Sequence, residues 1–178
     1  TKTVESIIKE RNFDKFVVLN FITPHQKWGI HSTYTDNLLM LTLSRGGVIV
    51  WISEFDAKKV GVSDNDWVEV FNLNGAIAAR AVVSQRVPEG MILQYHAQEK
   101  LMHVPIASET KFRGGIHNSV TRVSTNPTHM IGGYAQQAYG FNYYGTVGSN
   151  RDEFVILRKL ENIKWKIMDK KTVSYDNE

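Results

Sequence analysis

At 178 residues, with 42% hydrophobic and 22% charged side chains, the chain has the size and composition of one globular domain, which excludes a disordered, collagenous or coiled-coil polypeptide. Lys plus Arg outnumber Asp plus Glu by 21 to 18, too thin an excess for a nucleic-acid-binding footprint despite a sequence pI near 9.0, although a local patch can still steer an anionic ligand. The absence of cysteine excludes disulfides, thiolate zinc sites, iron–sulfur ligation and cysteine nucleophiles within these residues.

Residues 1–16 carry Lys2, Glu5, Lys9, Glu10, Arg11, Asp14 and Lys15 and contain no apolar core suited to a signal peptide. The longest apolar runs, such as Val48–Ile52, fall far short of the roughly 18 residues a spanning helix needs, so any membrane association is expected through a partner. The chain starts at Thr1, which suits ordinary processing or a piece of a longer polypeptide.

In chain order, Val4–Arg11 predicts a short amphipathic helix, and the apolar density of Phe16–Phe21 predicts a strand buried on both faces, ended by Thr23-Pro24. Residues His25 to Thr35 are polar and aromatic without a clean period. Thr35 or Asp36 is placed to cap a helix through Asn37–Leu43, which Gly46-Gly47 stops. Val48–Ile52 reads as a strand, Ser53 as the N-cap of a helix through Ala57-Lys58-Lys59, and Gly61 as its C-terminal stop. Asp66–Phe71 and Ala76–Val83 alternate on either side of Asn72-Leu73-Asn74-Gly75 and predict a hairpin. A turn at Val87-Pro88-Glu89-Gly90 leads into a strand over Met91–Tyr95.

From His96 to Asn150 no long periodic run occurs, and seven of the 13 glycines fall there (Gly114, Gly115, Gly132, Gly133, Gly140, Gly145 and Gly148). So long an irregular stretch inside a compact domain is either functional or braced by a neighbour. Glu153–Arg158 supplies a last strand, and the lysine-rich segment from Lys159 (Lys164, Lys166, Lys170, Lys171) reads as a solvated terminus. Short strands, a few short helices and abundant turns without repeats or linkers predict a small closed or nearly closed β-barrel.

Six histidines occur, at 25, 31, 96, 103, 117 and 129, with no HExxH pair or carboxylate cluster, so a protein-ligated metal is not expected. Four of them keep polar company. His25 and His31 flank a loop with Gln26, Lys27, Ser32 and Thr33; His96 ends a strand near Gln98; His117 follows Arg113-Gly114-Gly115 and precedes Asn118-Ser119. Donors combined with glycine suit a large polar anionic ligand, because glycine lets backbone N–H groups approach phosphate and side chains satisfy the rest. No Walker A, GxGxxG or GxSxG pattern occurs, which disfavours conventional ATP or NAD binding and nucleophilic hydrolysis. The Tyr139–Gly145 segment, rich in aromatics and glycine, more often packs than stacks on bases, and nucleic acid is not an expected partner.

Three blocks carry a family resemblance: Thr23–Tyr34, Asp64–Asn72 with Gly75 and Val87-Pro88-Glu89-Gly90, and Arg113–Thr121. From about Phe16 to Leu157 the chain resembles the C-terminal domain of respiratory nitrate reductase alpha subunits, within the dimethyl-sulfoxide-reductase superfamily. The middle block is general to molybdopterin-dinucleotide-binding domains. The others, with Pro127–Met130 and Tyr139–Gly145, are similar to the nitrate reductase branch in particular.

The resemblance implies a mainly β fold, a double-psi β-barrel with a few short helices and a long irregular loop region. It implies an N-terminal helical lead-in over 1–12, the barrel domain over 13–158 and a charged tail over 159–178. It also implies a bis-molybdopterin guanine dinucleotide shared with domains outside these residues, with molybdenum and iron–sulfur ligands upstream. The missing cysteines and start methionine agree with a C-terminal piece. The implied whole is an oxidoreductase reducing nitrate to nitrite with quinol-derived electrons. Its expected partners are the remainder of the alpha subunit, an iron–sulfur beta subunit and, indirectly, a membrane gamma subunit, giving a cytoplasmic, membrane-associated location.

By family position, His25, His31, His96 and His117 are the expected cofactor-binding residues, with Ser32, Asn118 and Ser119 secondary and Asn150 and Asp152 weaker. No residue is assigned catalysis or metal ligation. Imidazole suits such contacts because its two nitrogens donate and accept on opposite edges, and such neighbours tune a metal's electronics. Much of 96–150 is then expected to be mobile or unusually exposed in the isolated chain, since cofactor and other domains would normally brace these loops. Two readings of other classes remain: a stand-alone barrel binding another nucleotide or an assembly partner, and a small enzyme using the histidines directly.

Overall fold

The computed structural model describes residues 4–26, 28–34, 37–43, 45, 47–96, 104–111, 114–121 and 153–165. Its elements run α1 (Val4–Arg11), β1 (Val17–Ile22), α2 (Leu38–Leu43), β2 (Ile49–Ser53), α3 (Glu54–Val60), β3 (Trp67–Phe71), β4 (Ala76–Ser84), β5 (Met91–Leu93), a 3₁₀ turn (His117–Val120) and β6 (Glu153–Lys159).

The six strands close into a barrel in the order β1-β5-β2-β4-β3-β6. Two pairings are parallel, β1 with β5 and β2 with β4; the other four are antiparallel. Each parallel pair requires the chain to cross over before returning beside an earlier strand, and the two crossovers make the double-psi arrangement. Alternation sends Leu19, Phe21, Val50, Ile52, Val68, Val70, Ile77, Ala79, Ile92, Val155 and Leu157 into one shared core. Phe71 and Ile156 point outward from their strands and meet Ile7 of α1 in a smaller cluster, with Phe13 and Phe16 packed against it. No helix among the described residues is long and apolar enough to cross a membrane.

Local signals determine α3. Ser53 Oγ accepts the Phe55 N–H at 3.2 Å, and Gly61 ends the helix in the left-handed region at φ 68°. The predicted hairpin forms as β3 and β4. Three expectations need correction. Strand β1 is not buried on both faces, because Val18 on its outer side is exposed. Helix α2 is capped by Asn37, whose Oδ1 accepts from Leu39 N at 2.9 Å; the caps expected from the sequence, Thr35 and Asp36, lie outside the described residues, as does Gly46 of the predicted stop. In the described parts of 96–150 the expected exposure is only partial: Val104, Thr110, His117, Val120 and Thr121 are buried, while Ile106, Ser108 and Lys111 are exposed. The remainder of that stretch, 97–103, 112–113 and 122–150, lies outside the described residues.

The barrel itself does that bracing. Glu69 on β3 is fully buried, directly opposite Arg158 of β6. Arg158 donates to Glu69 Oε2 through Nε at 3.1 Å and Nη2 at 2.6 Å, and its guanidinium lies over the rings of Phe13 and Phe71 at 5.0 and 5.4 Å. The other oxygen, Oε1, accepts the backbone N–H groups of Glu109 and Thr110, each at 2.8 Å. The start of the charged tail is likewise anchored. Lys159 belongs to β6 and pairs with Asp66 at 2.7 Å, Ile106 N donates to Lys164 O at 2.6 Å, and the Trp165 ring meets Trp67 edge-on at 5.8 Å. Residues 161–165 are exposed, and the rest of the tail lies outside the described residues.

Candidate functional site

Strand register brings distant histidines together. Ile22 of β1 pairs with Leu93 of β5, and the ladder runs on past the formal strand ends, with Gln94 N donating to Ile22 O at 3.0 Å and His96 N to Pro24 O at 3.1 Å. His25 and His96 each lie three residues beyond the last paired position, so parallel pairing places them side by side, with ring centroids 4.1 Å apart. Two parallel strands deliver their C-terminal ends, and the loops beyond them, to the same mouth of the barrel.

His31 returns to this mouth through a tight turn. Thr33 N donates to Ile30 O at 2.9 Å, and Gln26 Nε2 to His31 O at 2.8 Å. His31 itself adopts φ 53° and Tyr34 φ 72°, a left-handed conformation that side chains with a Cβ adopt rarely and at a cost of about 1–3 kcal/mol. At Gly29 a Cβ would meet only the flexible end of the Gln26 side chain. The turn sets the His31 ring 4.9 Å from His96 and 5.8 Å from His25.

His117 completes the group from the opposite side of the sequence, its ring 6.0 Å from His96. It opens the 3₁₀ turn, whose position is set by the β3–β4 hairpin. Ala78 N donates to Gly114 O at 2.8 Å, Asn72 Nδ2 donates to Val120 O at 2.7 Å, and Ser119 Oγ accepts the Ile116 N–H at 3.0 Å. Gly115 stands at φ 72°, where a Cβ would strike Ala76 O, and at Gly75 a Cβ would strike Ser119 O. The glycines therefore permit a close backbone approach on which the placement of His117 depends.

His96 is thus the hub of a four-histidine cluster. It and His117 are buried, whereas His25 and His31 are exposed. The secondary candidates sit around this cluster in different states. Ser32 is exposed in the His31 turn; Asn118 is half-buried, its carbonyl accepting from Thr121 N at 3.3 Å and Oγ1 at 3.0 Å. The hydroxyl oxygen of Ser119 is engaged by its own turn, which leaves its O–H as the group available to a ligand. Lys27, Gln98, His103, Arg113, His129, Asn150 and Asp152 lie outside the described residues. Among the described residues, no three or more histidine or carboxylate side chains are arranged to hold a metal ion. The rings of His25, His31 and His117 each meet His96 in a tilted or edge-on geometry.

One residue of this mouth escaped the sequence reading. Gln94 shares the inward face of β5 with Ile92, is 1% exposed, and has neither amide atom hydrogen-bonded among the described residues. The signal was present in the strict alternation of Met91–Gln94, which puts an amide in phase with a core isoleucine. The Trp51 indole nitrogen on neighbouring β2 is also buried without a partner among the described residues. Each such group costs about 1–3 kcal/mol when left unsatisfied. Imidazoles and an unpaired amide on the inward face form a donor and acceptor set suited to a heterocycle bearing ring carbonyls and amines, whereas the Trp51 indole lies on the outer face beside Tyr95. The chemistry of these residues therefore fits such a group. Two clefts, of about 320 and 510 Å³, lie elsewhere, one under α1 beside the Asn72–Gly75 turn and one beside the end of β6; none of the four histidines lines either.

The closed barrel thus gathers imidazole and amide side chains from separate loops at one mouth. Residues 19–138 match the molydopterin dinucleotide binding domain, and the chain belongs to that family. It is 66% identical over 166 residues to the respiratory nitrate reductase 1 alpha chain of Escherichia coli K12, covering 93% of this chain and 13% of that one. It is 73% identical over 147 residues to the respiratory nitrate reductase 2 alpha chain of the same organism, covering 83% and 12%. Against the nitrate reductase alpha chain of Bacillus subtilis the identity is 54% over 151 residues, covering 85% and 12%. The chain thus spans about an eighth of the length of these relatives.

Proposed function

We propose that this chain is the C-terminal cofactor-binding domain of a respiratory nitrate reductase alpha subunit, closing over a bis-molybdopterin guanine dinucleotide held mainly by the rest of that polypeptide. The carrying observation is that β1 and β5, paired in parallel, set His25 and His96 against each other and gather His31 and His117 around them. The bound group supplies the two-electron reduction of nitrate to nitrite. The chain's own residues bind and orient it. His25, His31, His96 and His117 exchange hydrogen bonds with pterin and linker atoms, and Ser32, Asn118 and Ser119 add hydroxyl and amide contacts.

The surface next to the mouth supports this reading. Trp28, Ile30, Tyr34, Leu38, Leu39 and Leu43 follow His25 in the chain and are all more than half exposed. So many large apolar side chains in one short segment mark an interaction surface, and the remainder of the alpha subunit is its occupant in this proposal. An iron–sulfur beta subunit and a membrane gamma subunit complete the assembly, which places the enzyme on the cytoplasmic side of the membrane through its partners.

Two measurements test the reading. The 178-residue chain alone is expected to carry no molybdenum and to reduce no nitrate, because it supplies one wall of the site; stoichiometric molybdenum or turnover overturns this. In the complete polypeptide, His25→Ala and His117→Ala should each lower cofactor affinity by roughly one to two decades, the worth of a hydrogen bond to a charged group at about 1.5–3 kcal/mol. Each should also shift the molybdenum potential. Lys170→Ala serves as the control with no expected change. If both histidine variants keep wild-type cofactor content, potential and turnover, the histidines have no part in binding.

A further inference from the structure

We infer that Gln94 is a further binding residue of this site, its amide taking the aminopyrimidinone edge that pterin and guanine share. The inference rests on the cofactor reading above and adds to it a residue that packing alone does not account for.

The geometry is that of a polar floor beneath the histidines. Gln94 N and His96 N both donate toward β1, to Ile22 O and Pro24 O, so the two residues continue one extended strand and share a face. That face is the inward one of Ile92, in the barrel core. A side chain there is expected to be apolar; instead both the donor and the acceptor of the amide are buried and unpaired among the described residues. A primary amide offers one acceptor and one donor side by side, the complement of a ring carbonyl next to a ring N–H or amino group. Of the three rings packed on His96, those of His25 and His31 are exposed and that of His117 is buried. A ligand bound among these rings therefore has the Gln94 amide on the same strand face, two residues before His96.

The substitution that separates this from a packing role is Gln94→Met, of similar length and volume without the polar pair. In the 178-residue chain, Q94M should unfold at the same temperature as wild type or higher, since it removes two unpaired buried groups. A lower unfolding temperature would show that the amide already has its partner within the fold and overturns the proposal. In the complete polypeptide, Q94M should reduce guanine and molybdenum per chain by on the order of tenfold. A shifted potential in the residual molybdenum assigns the contact to the pterin, and an unshifted potential with depleted content assigns it to the guanine. Wild-type content and potential in Q94M overturn the proposal. Should the wild-type complete polypeptide itself contain no molybdenum, it is the cofactor reading that fails.

Discussion

Glu69 and Gln94 are two buried polar side chains on strands of one barrel, and the fold treats them oppositely. Glu69, on the outer wall, receives Arg158 from the adjacent strand and two backbone N–H groups from the 104–111 loop. Gln94, at the mouth, receives nothing from the described residues. The wall resolves its desolvation within the chain, so the loop over it is folded and covered. The mouth leaves the Gln94 amide open on the same face as His96, on which the rings of His25, His31 and His117 pack. The wall pairs its buried charge within the chain, and the open pair at Gln94 is the one the proposal above fills with the cofactor.

The contrast breaks most visibly at the wall. Glu69→Ala leaves the Arg158 guanidinium without its carboxylate and frees two backbone donors, so denaturant unfolding should show a loss of about 3–5 kcal/mol. A loss below 1 kcal/mol would mean that the 104–111 loop does not depend on this pairing. Gly115→Ala comes next, at about 1–3 kcal/mol, because it forces a Cβ into a left-handed position against Ala76 O. It should also move the His117 ring, read as a change in the imidazole NMR signals; an unchanged spectrum would separate the hairpin from the site. Ser53→Ala tests a purely local device and should cost about 1 kcal/mol in thermal unfolding, with the histidine signals untouched.

The smallest effect is electrostatic. At Asp64, burial opposes the charged form, but the Arg45 hydrogen bond and the Val83 N–H outweigh it and hold the carboxyl below its ordinary range. Asp66 is lowered in the same way, burial being outweighed by Lys159 and the Ser63 N–H. Between the folded and unfolded pKa values the unfolded chain binds more protons, so this stabilisation is complete above about pH 4 and fades as pH falls through the lower folded values. Asp64→Asn should therefore flatten the acid limb of the stability curve slightly. An acid limb identical to wild type would show that the Arg45 pair contributes nothing measurable.

Elements governed by neighbours a few residues away were legible in the sequence. Ser53 and Gly61 bracket α3, and Asn72–Gly75 joins alternating runs into the β3–β4 hairpin, because capping and turn chemistry act over three or four positions. The four histidines stood out by their polar company and by family resemblance. Their adjacency did not follow from spacing, since His25 and His96 meet only through the parallel register of β1 with β5, which barrel closure selects. Closure likewise put Arg158 opposite Glu69, turned Gln94 inward, and left Leu38 and Leu39 of α2 facing outward although their segment is as apolar as any strand. Local composition determines which segments turn, cap and alternate; which buried polar groups find partners is decided by long-range register, where a shift of one residue would send every side chain to the other face.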